Sequence, residues 1–198
     1  MQAEEIRARL AVPWHHGDCV DLAGVRCEGA LDLSGLDLTG VDFTGASFPD
    51  GFEAKGASFL GLSWFRGAIF ASADFTGVRF LNDARFEGAI FDTPARLAGA
   101  EFRGIGRFDD VRLAAGGDFS GSVAHGNFSI AGLGGSGPLT FEGAEWLGGL
   151  WCDGARLPEG TNFTRTQVHG RLWLRGARIG NAKLGVGAFG MSFGYTYA

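Results

Sequence analysis

Cysteine is scarce in this chain: Cys19, Cys27 and Cys152 are the only three in 198 residues. Three widely spaced thiols make no disulfide framework. Proline is nearly as rare, at five, and glycine follows no three-residue period, which excludes a collagen-like helix. No run of about 18 apolar residues occurs, so no transmembrane helix is expected. The opening "MQAEEIRARLAVPW" lacks the apolar core of a leader, so the reading is no signal peptide and a cytoplasmic protein. A basic surplus is missing too. The net charge of −5 argues against direct nucleic-acid binding. The acidity is concentrated, because residues 1–60 carry four basic and ten acidic side chains while residues 121–198 carry six and four.

Glycine and phenylalanine fill the space these absences leave. Glycine supplies 35 residues and phenylalanine 18, and the glycine share is more than twice the ordinary one. The phenylalanines follow neither helical nor strand periodicity. In "ADFTGVRFLNDARFEGAIF", Phe75, Phe80, Phe86 and Phe91 recur at steps of five, six and five. That register extends without a gap from Leu22 to Phe189, and Gly135 is its only centre that is not apolar. Two residues before the centre the chain is mostly small or aliphatic, as at Val41, Ala46, Ala57, Ala68 and Ala84. Two residues after it glycine is usual, as at Gly24, Gly40, Gly45, Gly61 and Gly67. A type II turn needs a positive φ at its third residue, which glycine adopts at little cost. Each unit therefore reads as a short extended segment and a sharp corner. The inward residues alternate with one outward residue, as in a strand.

The units "VDFTG", "ADFTG", "LDLTG" and "LDLSG" resemble the A-(D/N)-L-x-x motif of the pentapeptide-repeat family, over roughly residues 20–190. The resemblance implies an all-β fold, a right-handed quadrilateral parallel β-helix. Grouping the centres in fours from Leu22 gives about eight coils, a rod roughly 38 Å long at strand spacing. The six-residue steps then fall at two diagonal corners, between faces two and three and between faces four and one. Residues 1–19 read as an N-terminal helical cap and linker, with Ile6 and Leu10 on one face and Pro13 beyond its end. Residues 20–190 read as the β-helix. Residues 191–198 read as a C-terminal cap or dimer contact, in which Phe193, Tyr195 and Tyr197 alternate as in a final strand. The C-terminal end is a common dimer contact in structurally known relatives. Phe189, Phe193, Tyr195 and Tyr197 are the dimer candidates here.

Several stretches invite chemical readings. "HHGDC", residues 15–19, gathers metal-ligand types, but its spacing matches no zinc pattern, and a polar linker outweighs a metal site. Cys27 and Cys152 occupy core positions, where free cysteine acts as a small hydrophobe. His125 and His169 sit beside corners, with no sequence neighbours that build a triad. "GLGGSGP", residues 132–138, lacks the lysine of a phosphate loop and the following helix of a dinucleotide loop. It reads as a loosened corner at the coil whose centre is Gly135. No catalytic residue, metal or cofactor is assigned.

Specificity falls to the outward residues. On face one they run Asp21, Asp42, Trp64, Arg85, Arg107, Ser129, Trp151 and Trp173. On face two they include Arg112, Gly134, Arg156 and Arg178. Trp151 and Trp173 should stack on adjacent coils beside Arg156 and Arg178, and exposed tryptophan with arginine typifies interaction hot spots. Trp64, Trp151, Trp173, Arg156 and Arg178 are the partner-binding candidates, against the alternative that internal or dimer packing covers them. Asp21, Asp32, Asp37, Asp42, Glu53 and Asp74 form an acidic N-terminal patch. The leading functional reading is a non-enzymatic scaffold for an unidentified protein partner. Some relatives act on DNA gyrase as acidic DNA mimics, by inhibition or by protection against quinolones or toxins. That is the named alternative, weakened here by outward arginines in the later coils. An enzyme or modified substrate protein is the third.

Overall fold

The computed structural model describes all 198 residues. One helix, α1 (Ala3–Leu10), opens the chain and buries Ala3, Ile6 and Leu10. That spacing puts the three on one helical face, which closes the first coil. The Arg7 guanidinium donates to the Asp32 carbonyl and ties the cap to that coil.

Every strand after α1 is two or three residues long, because a corner follows each core centre. The strands stack coil on coil into four ladders. Face one runs from Cys19–Asp21 to Thr196–Tyr197, and face two from Ser47–Phe48 to Arg178–Ile179. Face three runs from Leu31–Asp32 to Leu139–Thr140, and face four from Asp37–Leu38 to Met191–Ser192. Pairing between coils is parallel and in the expected register, with Phe80 opposite Phe59 on one side and Phe102 on the other. Hydrogen bonds run along the rod: Phe43 N–H donates to the Trp64 carbonyl at 2.7 Å and Phe65 N–H to that of Arg85 at 2.6 Å.

The inward centres form columns. Phe65, Phe86 and Phe108 stack at 4.7 and 4.6 Å with interplanar angles of 12°. Phe48, Phe70 and Phe91 do the same on face two, at 5.2 and 4.9 Å. Ring stacking at this distance is favourable beyond area burial, and strand spacing supplies the distance without adjustment. Where the pattern breaks, volumes compensate. Ala54 is a small centre, and Phe52 two residues before it fills the space against Phe43, Phe48, Phe65, Phe70 and Phe75. The Phe128 ring occupies the room a Cβ on Gly106 would need.

The corner glycines serve two purposes, and only one is the expected turn. At the corners after faces one and three, glycine takes a positive φ, as at Gly143 with φ 68°. There the Ala144 N–H donates to the Phe141 carbonyl at 2.9 Å, closing a type II turn. Glycines at the face-four corner, including Gly40 and Gly61, are different. A Cβ on Gly148 would lie 2.5 Å from the backbone of Gly126, one coil away. Glycine is needed here because two backbones touch, and its φ is ordinary.

The last coil departs from the expected register. Ala182–Lys183 turns back antiparallel on Arg178–Ile179, so Leu184 does not start a parallel face-three strand. The hairpin consumes residues, and face four resumes at Met191–Ser192, with Ser192 opposite Val168. Phe189 therefore leaves the ladder, yet it is buried at 7% exposure. It packs 4.7 Å from Phe163 and 6.3 Å from Trp146, closing the end of the core. Residues 191–198, read from the sequence as a cap, carry strands that continue faces four and one.

Candidate functional site

Because inward and outward residues alternate, the residue before each centre stands in a ladder outside the rod. On face one the expected neighbours meet. Trp151 pairs in register with Trp173, and their rings stack at 6.5 Å and 16°. The column is longer than the sequence suggested. Tyr197 pairs with Trp173 and stacks on it at 4.0 Å and 12°. The Arg175 guanidinium lies 5.0 Å from the Trp173 ring centroid, with an Asp153 carboxylate oxygen 3.1 Å from its Nη2. Both tryptophans are half-buried, and the Trp173 indole N–H has no partner.

Arg156 and Arg178 form the adjoining pair on face two, in register and exposed. Arg178 donates to the Asn181 carbonyl of the hairpin, and Arg156 makes no hydrogen bond or ion pair. The C-terminal coils thus bring three stacked aromatic rings and three guanidiniums around one corner. Trp64 is not part of this group. It stands between Asp42 and Arg85, four rungs from Trp151, or roughly 19 Å at strand spacing.

Of the dimer candidates, Phe193 and Tyr195 are open, at 61% and 79% exposure. Phe193 stacks on His169 at 4.9 Å. Tyr197 belongs to the aromatic column, and Phe189 is the core plug and presents no surface. Val186 and Met191, which are not among those candidates, are half exposed at the same end.

The acidic N-terminal ladder has a local task. Carboxylates of Asp21, Asp32, Asp42 and Asp74 each accept the backbone N–H two residues on, at 2.8–3.0 Å. They brace the corners as Asx turns do. For Asp32 that N–H, from Ser34, holds the carboxyl below its ordinary range. Glu53 behaves oppositely. Burial, with Asp74 and Asp32 as neighbours on the ladder, raises its carboxyl above the usual value.

The remaining candidates lie apart. The Asp18 carboxylate accepts the His15 backbone N–H at 2.9 Å and sits 3.1 Å from its ring Nδ1. These contacts, the backbone bond first, lower the Asp18 pKa. They fold "HHGDC" into a cap loop. Burial raises the Cys27 and Cys152 thiols, Cys152 strongly, and so disfavours the reactive thiolate. His125 faces Glu101 at 3.3 Å. No helix is long and apolar enough to cross a membrane.

The model of a family described as pentapeptide repeats (9 copies) matches residues 54–100 and, overlapping, 75–123. Those are the central coils, and the same ladders continue on both sides of them. No curated protein matches the chain.

Proposed function

We propose that this chain, a member of the pentapeptide-repeat family and a β-helical scaffold, is non-enzymatic and docks a protein partner on its C-terminal coils. The observation that carries this is the aromatic column of Trp151, Trp173 and Tyr197 beside Arg156 and Arg178. A rigid column of rings offers area at little entropic cost, and guanidiniums at its edge supply directional bonds. The ladder on a packed core changes shape little, so docking is close to rigid. Trp151→Ala/Trp173→Ala is expected to weaken partner retention in a pull-down from the native host at least about thirtyfold, a hot-spot loss near 2 kcal/mol. Circular dichroism should stay unchanged, because both side chains lie outside the core. Equal retention by both proteins defeats the patch.

Self-association through the C-terminal end is part of the same proposal. Val186, Met191, Phe193 and Tyr195 expose apolar surface on the last coil, and such a solenoid end asks to be covered. Phe193→Asp/Tyr195→Asp is expected to turn a dimer into a monomer by light scattering. A dimer unaffected by both charges places the contact elsewhere.

The gyrase-directed DNA mimic is the second reading. What favours it is the run of Asp32, Glu53 and Asp74 on consecutive rungs of face three. Against it, Arg96 follows in the same ladder, 3.7 Å from Asp74. A supercoiling assay showing neither inhibition nor rescue of gyrase removes it.

A further inference from the structure

We propose that coil six carries a docking groove for an extended acidic segment of a protein partner, with one carboxylate seated between Arg112 and Arg156. The outward residues of this coil on faces one, two and three are Ser129, Gly134 and Thr140. Each opens a recess. On face two, Gly134 pairs with Arg112 on one side and Arg156 on the other. The two arginine Cα atoms then stand roughly 10 Å apart across a bare rung, two strand spacings. The recess there measures about 560 Å³ and opens on the Arg112 side of the bare rung, with Asp110 and Ser136 at its rim, while Arg156 stands beyond its lining across Gly134. A second, of about 480 Å³, lies on face three, with Arg96 and Asp118 in its lining, and Ala115 there adjoins Ala114 of the first. A third, of about 220 Å³, lies on face one over Ser129. The face-two recess crosses the rungs of Ile90, Arg112 and Gly134, and the face-three recess those of Arg96, Asp118, Thr140 and Asn162, so each runs along the rod and suits an extended chain better than a compact ion.

Its charge selects the occupant. Arg85, Arg96 and Arg107, on the rungs before it, each have a carboxylate within 4.0 Å. Arg112 and Arg156 make no such pair, and both are exposed. Two guanidinium forks flanking a bare rung suit one carboxylate, which accepts paired N–H bonds. Asp110 limits the choice. It holds φ at 55°, a conformation most L residues avoid, and lays its carboxylate where a Cβ on Gly132 would be. That carboxylate tolerates one acid between the arginines and repels a row of phosphates. A protein segment therefore fits, and a polyanion does not. The proposal shares with the scaffold reading the class of partner and Arg156, and its test needs neither that partner nor the aromatic column.

Gly134 permits a direct experiment. A Cβ there would lie 4.0 Å from its nearest neighbours, whereas one on Gly135 would meet the Leu113 carbonyl oxygen at 2.2 Å. Gly134→Glu thus tethers a carboxylate in the notch. It is expected to melt about 2–4 °C above Gly134→Gln, and the gap should vanish in an Arg112→Gln/Arg156→Gln background. Equal melting overturns the notch. In parallel, the arginine side-chain NMR signals of the otherwise unsubstituted protein are titrated with an eight-residue Gly/Ser peptide carrying one central glutamate. The glutamine peptide and inorganic phosphate are the controls. The glutamate peptide should shift Arg112 and Arg156 saturably, in wild type and Trp151→Ala/Trp173→Ala alike, and not in Gly134→Glu. No saturable shift, an equal response to the glutamine peptide, or a tighter response to phosphate overturns the proposal.

Discussion

Phe86→Ala is expected to destabilise the rod by about 3–5 kcal/mol, the range for emptying a buried aromatic site. Phe86 is fully buried. Its ring lies between Phe65 and Phe108 and meets Phe75 edge-on at 5.5 Å. Collapse around the vacancy is blocked, because the coils on either side are pinned at strand spacing. The Phe86 N–H donates to the Arg107 carbonyl at 2.7 Å, and the Phe65 N–H to that of Arg85. The cavity therefore stays open and the full cost is felt. Position compounds the effect. A solenoid is held by neighbour-to-neighbour interfaces, and this one joins the N-terminal coils to the rest. Phe86→Leu keeps most of the volume and should cost less than about 2 kcal/mol. Urea unfolding measures both, and a loss below about 1 kcal/mol for the alanine variant would show that the column does not carry the stack.

How much of this was legible depended on whether a feature repeats. The centres recur often enough that allowing either five or six residues per step could not hide the register. Phe75, Phe80, Phe86 and Phe91 are all core, as read. The stacking of Trp151 on Trp173 followed from the same count. Single events were invisible. The hairpin at Ala182–Lys183 occurs once, and Leu184 and Phe189 still satisfied the spacing while leaving the ladder. Both stay buried, so their apolar character was right for a reason other than register. Tyr197 reads as part of a final strand and a dimer candidate, not as a member of the column, because it is the extra residues of that hairpin that bring it over Trp173. The glycines were counted correctly and explained by one mechanism where two operate. Composition cannot separate a residue that needs a positive φ, such as Gly143, from one whose backbone touches the next coil, such as Gly148. The acidic patch was likewise read as surface charge, although four of its six carboxylates brace corners. The sequence marked Gly135 as an empty centre and Gly134 as an outward position, but not the recess at Gly134, because an absent side chain gains meaning from Arg112 and Arg156, which flank it only once coils stack.

Phe189→Asp is expected to open the C-terminal end while sparing the middle of the rod. Phe189 is the last large side chain over the core, set against Phe163 and Trp146. A carboxylate there faces rings and finds no partner, so it either stays protonated or leaves for water. Leaving releases the segment from the Ala182–Lys183 hairpin onward, and with it the Met191–Ser192 and Thr196–Tyr197 strands. In a one-dimensional stack that loss is local. Hydrogen exchange should quicken at His169 and Leu172, whose N–H groups donate to Trp146 and Tyr195 carbonyls, and above all at Leu172, which loses its acceptor. Protection at Phe65 and Phe86 should be unchanged. Because Tyr197 leaves with the strand, Trp173 loses its outer stacking partner and its fluorescence should shift toward that of a wet indole. Fast exchange throughout the rod would mean that the coils unfold as one unit. Unchanged exchange at Leu172 would mean that the hairpin holds the end without the plug. The predicted outcome lies between them: a frayed last turn on an intact rod, with the aromatic column shortened to Trp151 and Trp173.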